Sequence, residues 1–203
     1  MNKKIIGYDA KRIVRNGTGL GSYGRTLIND LAPLMPDTNL RLYAPDAGHD
    51  DLRNQVELRD NVKFCYPDHL RFRLQRDWWR VKGVVKDLKA DGVELYHGLS
   101  GELPSGLAAA GIPGVVTIHD LIFLRHPEFY PAIDVFFYKR KFYQTLREAS
   151  RIIAISECTK RDILYYGDFP EDKIDLVYQS CSTHFNQSVS PSLIEEARRK
   201  YQL

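Results

Sequence analysis

Short β-branched runs alternate along the chain with longer segments whose apolar residues recur every three or four positions. Lys4 to Tyr8, Leu40 to Ala44, Val62 to Tyr66, Val93 to His97, Val115 to His119, Arg151 to Ile155 and Lys173 to Tyr178 read as strands. Between them, Leu20, Tyr23, Leu27, Leu31 and Leu34 follow a helical spacing, Asp68 to Lys89 is helical and basic, and Ile133 to Ala149 is a long aromatic helix. Ser156 caps another helix that runs to about Tyr166, because its hydroxyl accepts an orphan backbone N–H. The strands are continuous apolar runs such as Val-Val-Thr-Ile and Ile-Ile-Ala-Ile, so both of their faces are covered. The pattern predicts an α/β fold: a doubly wound parallel sheet with helices on both faces and right-handed crossovers.

Composition narrows the classes. The chain has 203 residues, 43% apolar and 27% charged, which fits one domain with a real core and excludes disorder. Its 29 Lys and Arg against 26 Asp and Glu give +3, too mild a balance to imply a nucleic-acid partner. Cys65, Cys158 and Cys181 are odd in number and widely spaced. They suggest reduced thiols in a cytoplasmic protein, with neither a disulfide framework nor a paired-cysteine metal site. The two N-terminal lysines have no long apolar stretch behind them, and the uncharged run Leu103 to Ile118 is broken by Pro104 and Pro113. Neither a signal peptide nor a membrane span is expected. Residues 1–180 form the predicted domain. After Tyr178 the chain turns polar, and a charged helix, Pro191 to Tyr201, follows. Residues 181–203 read as a linker and the start of a connection to a further domain.

In an open parallel sheet, ligands gather at the carboxyl ends of the strands. Those ends carry Asp9 to Gly24, then His97, Gly98 and Ser100, then His119 and Asp120, then Ser156 and Glu157. Gly19, Gly21 and Gly24 satisfy the G-x-G-x-x-G string of phosphate-binding turns, in which the backbone approaches an anion at a helix start. Nine residues, Ala10 to Thr18, separate that string from the first strand, so a flexible loop that only turns the chain is the competing reading. His119 is placed to hydrogen-bond a sugar hydroxyl or to act as acid or base, or merely to cap its strand; His97 stands in the same position one strand earlier. The basic helix with Trp78 and Trp79 reads first as an ordinary surface helix whose tryptophans fill the core, with an anionic membrane surface as the alternative. Tyr138, Phe142 and Tyr143 read as core.

The segments IGYDAKRI…NGTGLGSYGRTLINDL, LYHGLSGELP, GVVTIHDLIFLRHPEFY, ASRIIAISECTKRDIL and KIDLVYQS, taken in this order, resemble the N-terminal half of a retaining glycosyltransferase of family four. The resemblance implies a Rossmann-like domain that forms the acceptor side of a GT-B fold. It implies transfer of a hexose, mannose among the candidates, from a nucleotide-sugar donor to a saccharide or lipid-linked acceptor. A C-terminal domain would hold most of the donor, so this half alone is expected to be inactive. On this resemblance Gly17, Thr18 and Gly19 meet the donor pyrophosphate, His119 and Asp120 fill the catalytic place, and Tyr23, His97 and Ser100 face the acceptor. No cofactor and no metal is implied. The expected location is the cytoplasm, with peripheral contact at the inner membrane surface. Glu94 and Glu102 have the eight-residue spacing of that family's second-domain glutamates, a match read as chance. Two other readings stay open. One is an NAD(P)-binding oxidoreductase domain with Asp46, 22 residues after Gly24, on the ribose. The other is a non-catalytic glycan-binding module.

Overall fold

The computed structural model describes residues 3–68, 72–181 and 188–203. Leu70 and Arg71 of the basic segment, and linker residues 182–187, lie outside the described residues. The strands are β1 (Lys4–Asp9), β2 (Thr38–Tyr43), β3 (Val62–Cys65), β4 (Leu95–Gly98), β5 (Gly114–Ile118), β6 (Ala149–Ala154) and β7 (Ile174–Leu176). They form one seven-stranded sheet in the order β3-β2-β1-β4-β5-β6-β7, and every pairing is parallel. Strand order reverses between β1 and β4, so the crevice there opens at the ends of Asp9 and Gly98.

Both faces are covered because successive strand residues point opposite ways. Leu42 packs with Ile13, Ile28 and Ala32, while its neighbour Tyr43 packs with Leu88, Tyr96 and Val116 in a second cluster. Two cores, one on each side of the sheet, explain why the strand sequences are apolar at nearly every position.

The helices are α1 (Lys11–Arg15), α2 (Gly19–Leu34), α3 (Asp50–Arg53), α4 (Arg73–Trp78), α5 (Val84–Ala90), α6 (Ile122–Arg125), α7 (Ala132–Glu148), α8 (Glu157–Tyr166) and α9 (Pro191–Tyr201). Three findings differ from expectation. The nine-residue loop after β1 contains α1, whose Ile13 and Val14 are fully buried. The stripe that α2 buries is Gly21, Gly24, Arg25, Ile28 and Ala32, while Leu34 is exposed, since small residues allow close approach to α1. The basic segment breaks into α4, a π turn over Trp79–Gly83, and α5. Ser156 does cap α8, its Oγ accepting from the Thr159 N–H at 3.0 Å. Ser190 caps α9, and Pro191 occupies its first turn. Among the described residues, no helix is long and apolar enough to cross a membrane.

Candidate functional site

The glycine turn is built rather than loose. Asn16 Oδ1 accepts from the N–H groups of Thr18 (3.0 Å) and Gly21 (3.2 Å) and from the Thr18 hydroxyl (2.8 Å). Buried Arg25 donates from Nη1 to the carbonyls of Ile13 (2.9 Å) and Asn16 (3.0 Å), which locks the end of α1 to the start of α2. A Cβ on Gly21 would sit 1.8 Å from the Asn16 carbonyl oxygen, so only glycine fits there. A Cβ on Gly19 meets nothing within 4 Å. Gly19 thus presents open backbone at the helix start, where the first N–H groups lack intrahelical partners and the dipole favours an anion. The turn is therefore braced by Asn16 and Arg25 rather than flexible.

His119, just past β5, is fixed on three sides. Its Nε2 lies 2.9 Å from the Leu99 carbonyl oxygen, which only accepts, so Nε2 carries the proton. Its Nδ1 then accepts from Gln179 Nε2 at 2.9 Å. The Tyr23 ring meets the imidazole edge-on, with centroids 4.9 Å apart, and the Thr159 hydroxyl donates to the His119 carbonyl at 2.9 Å. Burial pushes the imidazole pKa down, against the Leu99 bond and the Asp120 charge, which raise it. The ring is therefore neutral near pH 7, with Nδ1 as an acceptor. Its one N–H is committed to the Leu99 carbonyl, as the strand-capping alternative has it, and Nδ1 is the ring atom left to accept.

Beside His119 lies a cavity of about 260 Å³ at the carboxyl end of the sheet. Leu20 from the start of α2, Ser100 and Asp120 line it, whereas Gly17, Thr18 and Gly19 of the glycine turn are not among its lining residues. Asp120 also accepts from the Ile122 N–H at 3.2 Å, which turns the chain into α6. The cavity has members the sequence reading missed: Arg12, Glu102, Lys141, Tyr130 and Tyr138. Tyr138 was expected in the core; it is exposed and lines the cavity together with Phe142, which is buried, while Tyr143 is surface-exposed with its hydroxyl on the Tyr166 carbonyl. Gly98 makes room for Glu102, since a Cβ there would lie 2.1 Å from the Glu102 carbonyl oxygen. The Glu102 carboxylate takes Arg80 Nη1 at 2.5 Å and Lys141 Nζ at 3.0 Å, and Arg80 Nη2 holds Asp9 at 2.6 Å. Burial pushes the Glu102 carboxyl up, but the charges of Arg80 and Lys141 together outweigh it and bring its pKa down to about 2. Asp9 and Arg80 at the crevice, and Glu102 and Lys141 at the cavity, are thus one ionic chain. Glu94 is elsewhere: its carboxylate accepts from the Ile5 N–H at the opposite end of the sheet, so its spacing with Glu102 has no structural meaning.

Two expected acceptor contacts move. His97 is buried, 8% exposed, with Nε2 2.9 Å from Thr117 Oγ1 and its ring near Tyr8, because β4 is a central strand and its side chain points into the covered face. It braces the sheet and does not line the cavity. Tyr23 likewise bonds Thr117, through its hydroxyl at 3.1 Å, and supports the imidazole rather than facing the cavity. Tyr23 and Gly19 border a neighbouring hollow formed with Val177 to Cys181, on the side from which Gln179 reaches His119. Asp46, the ribose partner on the dinucleotide reading, is gripped by Arg15 (Nε at 2.9 Å) and Arg76 (2.8 Å), which takes its carboxylate out of that role.

Burial of His97 carries a pH prediction. Desolvation lowers its pKa from 6.5 to about 4. The folded state favours the neutral ring, so this contribution to stability is complete above pH 6.5 and is lost as pH falls toward 4. Between pH 7 and pH 5 the loss is about 2 kcal/mol. Urea unfolding of the parent and of His97→Gln at both pH values checks this: the difference should shrink in the variant, and an unchanged difference would remove His97 as its source.

Comparison with known proteins places this geometry in a class. The fold matches that of the HepE protein of Anabaena, solved with UDP and glucose, at a TM-score of 0.59 and 18% identity, covering 98% of this chain and 50% of that one. A glycosyltransferase of Rickettsia africae matches with a TM-score of 0.59 and 13% identity over 100% of this chain and 50% of that one. The domain therefore has the fold of one half of a GT-B glycosyltransferase. Residues 19–184 match the model of Glycosyltransferase Family 4, and the chain belongs to that family as an N-terminal domain. A curated relative, O-antigen chain mannosyltransferase B of Escherichia coli, is 26% identical over 197 residues, which is 92% of this chain and 49% of the relative. The chain thus spans about half the length of the curated relative it matches.

Proposed function

We propose that this domain is the acceptor side of a transferase that moves a hexose, with mannose the first candidate, from a nucleotide sugar to a saccharide or lipid-linked acceptor with retention. A C-terminal domain facing the crevice supplies the rest of the donor site, and the domain alone does not turn over. One observation carries the reading: Leu20 at the start of α2 and the neutral imidazole of His119 border the same cavity, and Gly19 lines the hollow beside it. In this scheme the turn Gly17, Thr18 and Gly19 meets the donor diphosphate, with the Gly19 N–H at the helix start as donor while the Thr18 N–H stays on Asn16, and electrostatic stabilisation of that leaving group drives the reaction. His119 Nδ1 exchanges Gln179 for a hydroxyl of the transferred sugar. Ser100, Asp120 and Tyr138 receive the acceptor, whose apolar sugar face stacks on the tyrosine ring. The mannosyltransferase name of the relative, and the UDP and glucose bound by a structural neighbour, support the donor class.

Titration of the full-length enzyme with GDP-mannose, UDP-glucose and NAD distinguishes this reading from its rivals. Saturable binding of a nucleotide sugar with no binding of NAD is expected. Binding of NAD alone would favour the oxidoreductase reading. Glycan binding without any transfer or hydrolysis would favour the binding module.

A further inference from the structure

Thr117 stands near the end of β5, two residues before His119. Its neighbours Val116 and Ile118 enter one core, so Thr117 faces the other, beneath α1 and α2. There it is fully buried. Its Oγ1 lies 2.9 Å from His97 Nε2 and 3.1 Å from the Tyr23 hydroxyl. A threonine hydroxyl has one proton and two lone pairs, so it donates to one of these neighbours and accepts from the other. His97 belongs to β4 and Tyr23 to α2, so this one hydroxyl ties a helix to two adjacent strands.

The helix it ties carries the open start at Gly19, one turn before Tyr23. Gly19 and Tyr23 line one hollow, while Leu20 and His119 line the cavity beside it. The Tyr23 ring stands edge-on to the His119 imidazole, with 87° between the planes. Apolar packing brings α2 down onto the sheet: a Cβ on Gly24 would lie 2.8 Å from Ile13 Cγ1 and 3.4 Å from Leu99 Cδ1. Such contact is non-directional and leaves the helix free to turn about its axis. Asn16 and Arg25 fasten α2 to the end of α1, not to β5. The bond between the phenol and Thr117 is directional, and it fixes how α2 is turned over the end of β5. We propose that Thr117 is a positioning residue: through the chain His97–Thr117–Tyr23 it sets the spacing between the helix start at Gly19 and the imidazole of His119. The proposal deepens the transfer reading, which assigns those two groups to the donor, but the chain of bonds stands without a ligand.

The test uses the full-length enzyme, first without ligand. NMR follows the Gly19 and Leu20 amides and the carbon-bound imidazole protons of His119, which the Tyr23 ring current displaces. The reference is the Trp79 indole N–H, 6% exposed in the opposite core and donated to Asp87 at 2.6 Å. The expectation that both tryptophans fill the core holds for Trp79 and fails for Trp78, which is 63% exposed. Thr117→Val keeps the shape and loses both bonds, so the His119 and Gly19 signals should move while Trp79 stays. Thr117→Ser keeps the hydroxyl and should return them to the parent positions. Tyr23→Phe removes only the phenol oxygen and should move the same signals, which decides the matter if Thr117→Val does not fold. UDP-glucose and GDP-mannose are then titrated. For the one that binds, Thr117→Val should weaken affinity about 10-fold, and Thr117→Val/His119→Ala should fall short of the product of the two single losses. Three results would overturn the proposal: His119 and Gly19 signals unmoved in Thr117→Val or in Tyr23→Phe, signals moved as far by Thr117→Ser as by Thr117→Val, or single losses that multiply in the double variant. A parent that binds neither nucleotide sugar counts against the transfer reading, and the ligand-free signals still decide the role of Thr117.

Discussion

Arg80→Ala should lower the free energy of unfolding by about 3–5 kcal/mol at pH 7, the range for removing one partner of a buried ion pair. Arg80 sits between two carboxylates, its Nη2 2.6 Å from Asp9 and its Nη1 2.5 Å from Glu102. Asp9 is 4% exposed, so the substitution removes its salt-bridge partner and leaves only the more distant charge of Lys11. Burial opposes the guanidinium charge, yet Asp9 and Glu102 hold its pKa well above the ordinary value. Arg80→Lys should recover part of the loss, since a single ammonium does not span both carboxylates as the guanidinium fork does. The acid limb supplies a second reading. Because the folded-state pKa of Glu102 is depressed from 4.5 to about 2, its contribution is present above pH 4.5 and disappears as pH falls toward 2. That limb should flatten in Arg80→Ala. Urea unfolding with unchanged m-values measures both effects, and a loss below about 1 kcal/mol would mean that the chain of charges contributes little.

His119→Ala in the full-length enzyme should reduce kcat/KM about 100-fold, or about 2.7 kcal/mol of transition-state stabilisation. The imidazole is held by Leu99, Gln179 and Tyr23, so its position is set before any ligand arrives. A pre-positioned acceptor contributes more in the transition state than one that must be ordered there. Folding stability should change by only about 1 kcal/mol, because the ring is half-buried and its lost hydrogen bonds are few. Its neutrality also predicts a rate that is flat from pH 7 to pH 8, since no proton leaves the ring in that range. Activity within a few-fold of the parent would take His119 out of the mechanism.

The sheet was legible because its strands are apolar on both faces, a pattern set by local sequence. Helix α1 was not, since Lys11–Arg15 is too short to show a period and has no capping side chain. The glycine turn was visible as a string, but its rigidity depends on Asn16 and Arg25, whose partners are set by tertiary approach. His119 and Ser100 were found from their place at strand ends, yet the same rule misplaced His97, because the last residues of a central strand still alternate between a buried face and an open edge. Glu102, Arg80 and Lys141 escaped notice because their pairings span 22 and 39 residues and leave no local trace. Tyr138 shares its helix with Phe142 and both line the cavity, and only the packing tells that Phe142 is buried there while Tyr138 stays exposed.

The most direct test follows backbone amide and imidazole NMR signals of the full-length enzyme as a nucleotide sugar is added. The predicted result is saturable perturbation of the Gly19 and Leu20 amides together with the Nδ1 resonance of His119, at one common affinity. Saturable donor binding that leaves all three signals unmoved would contradict a shared site between the start of α2 and the imidazole.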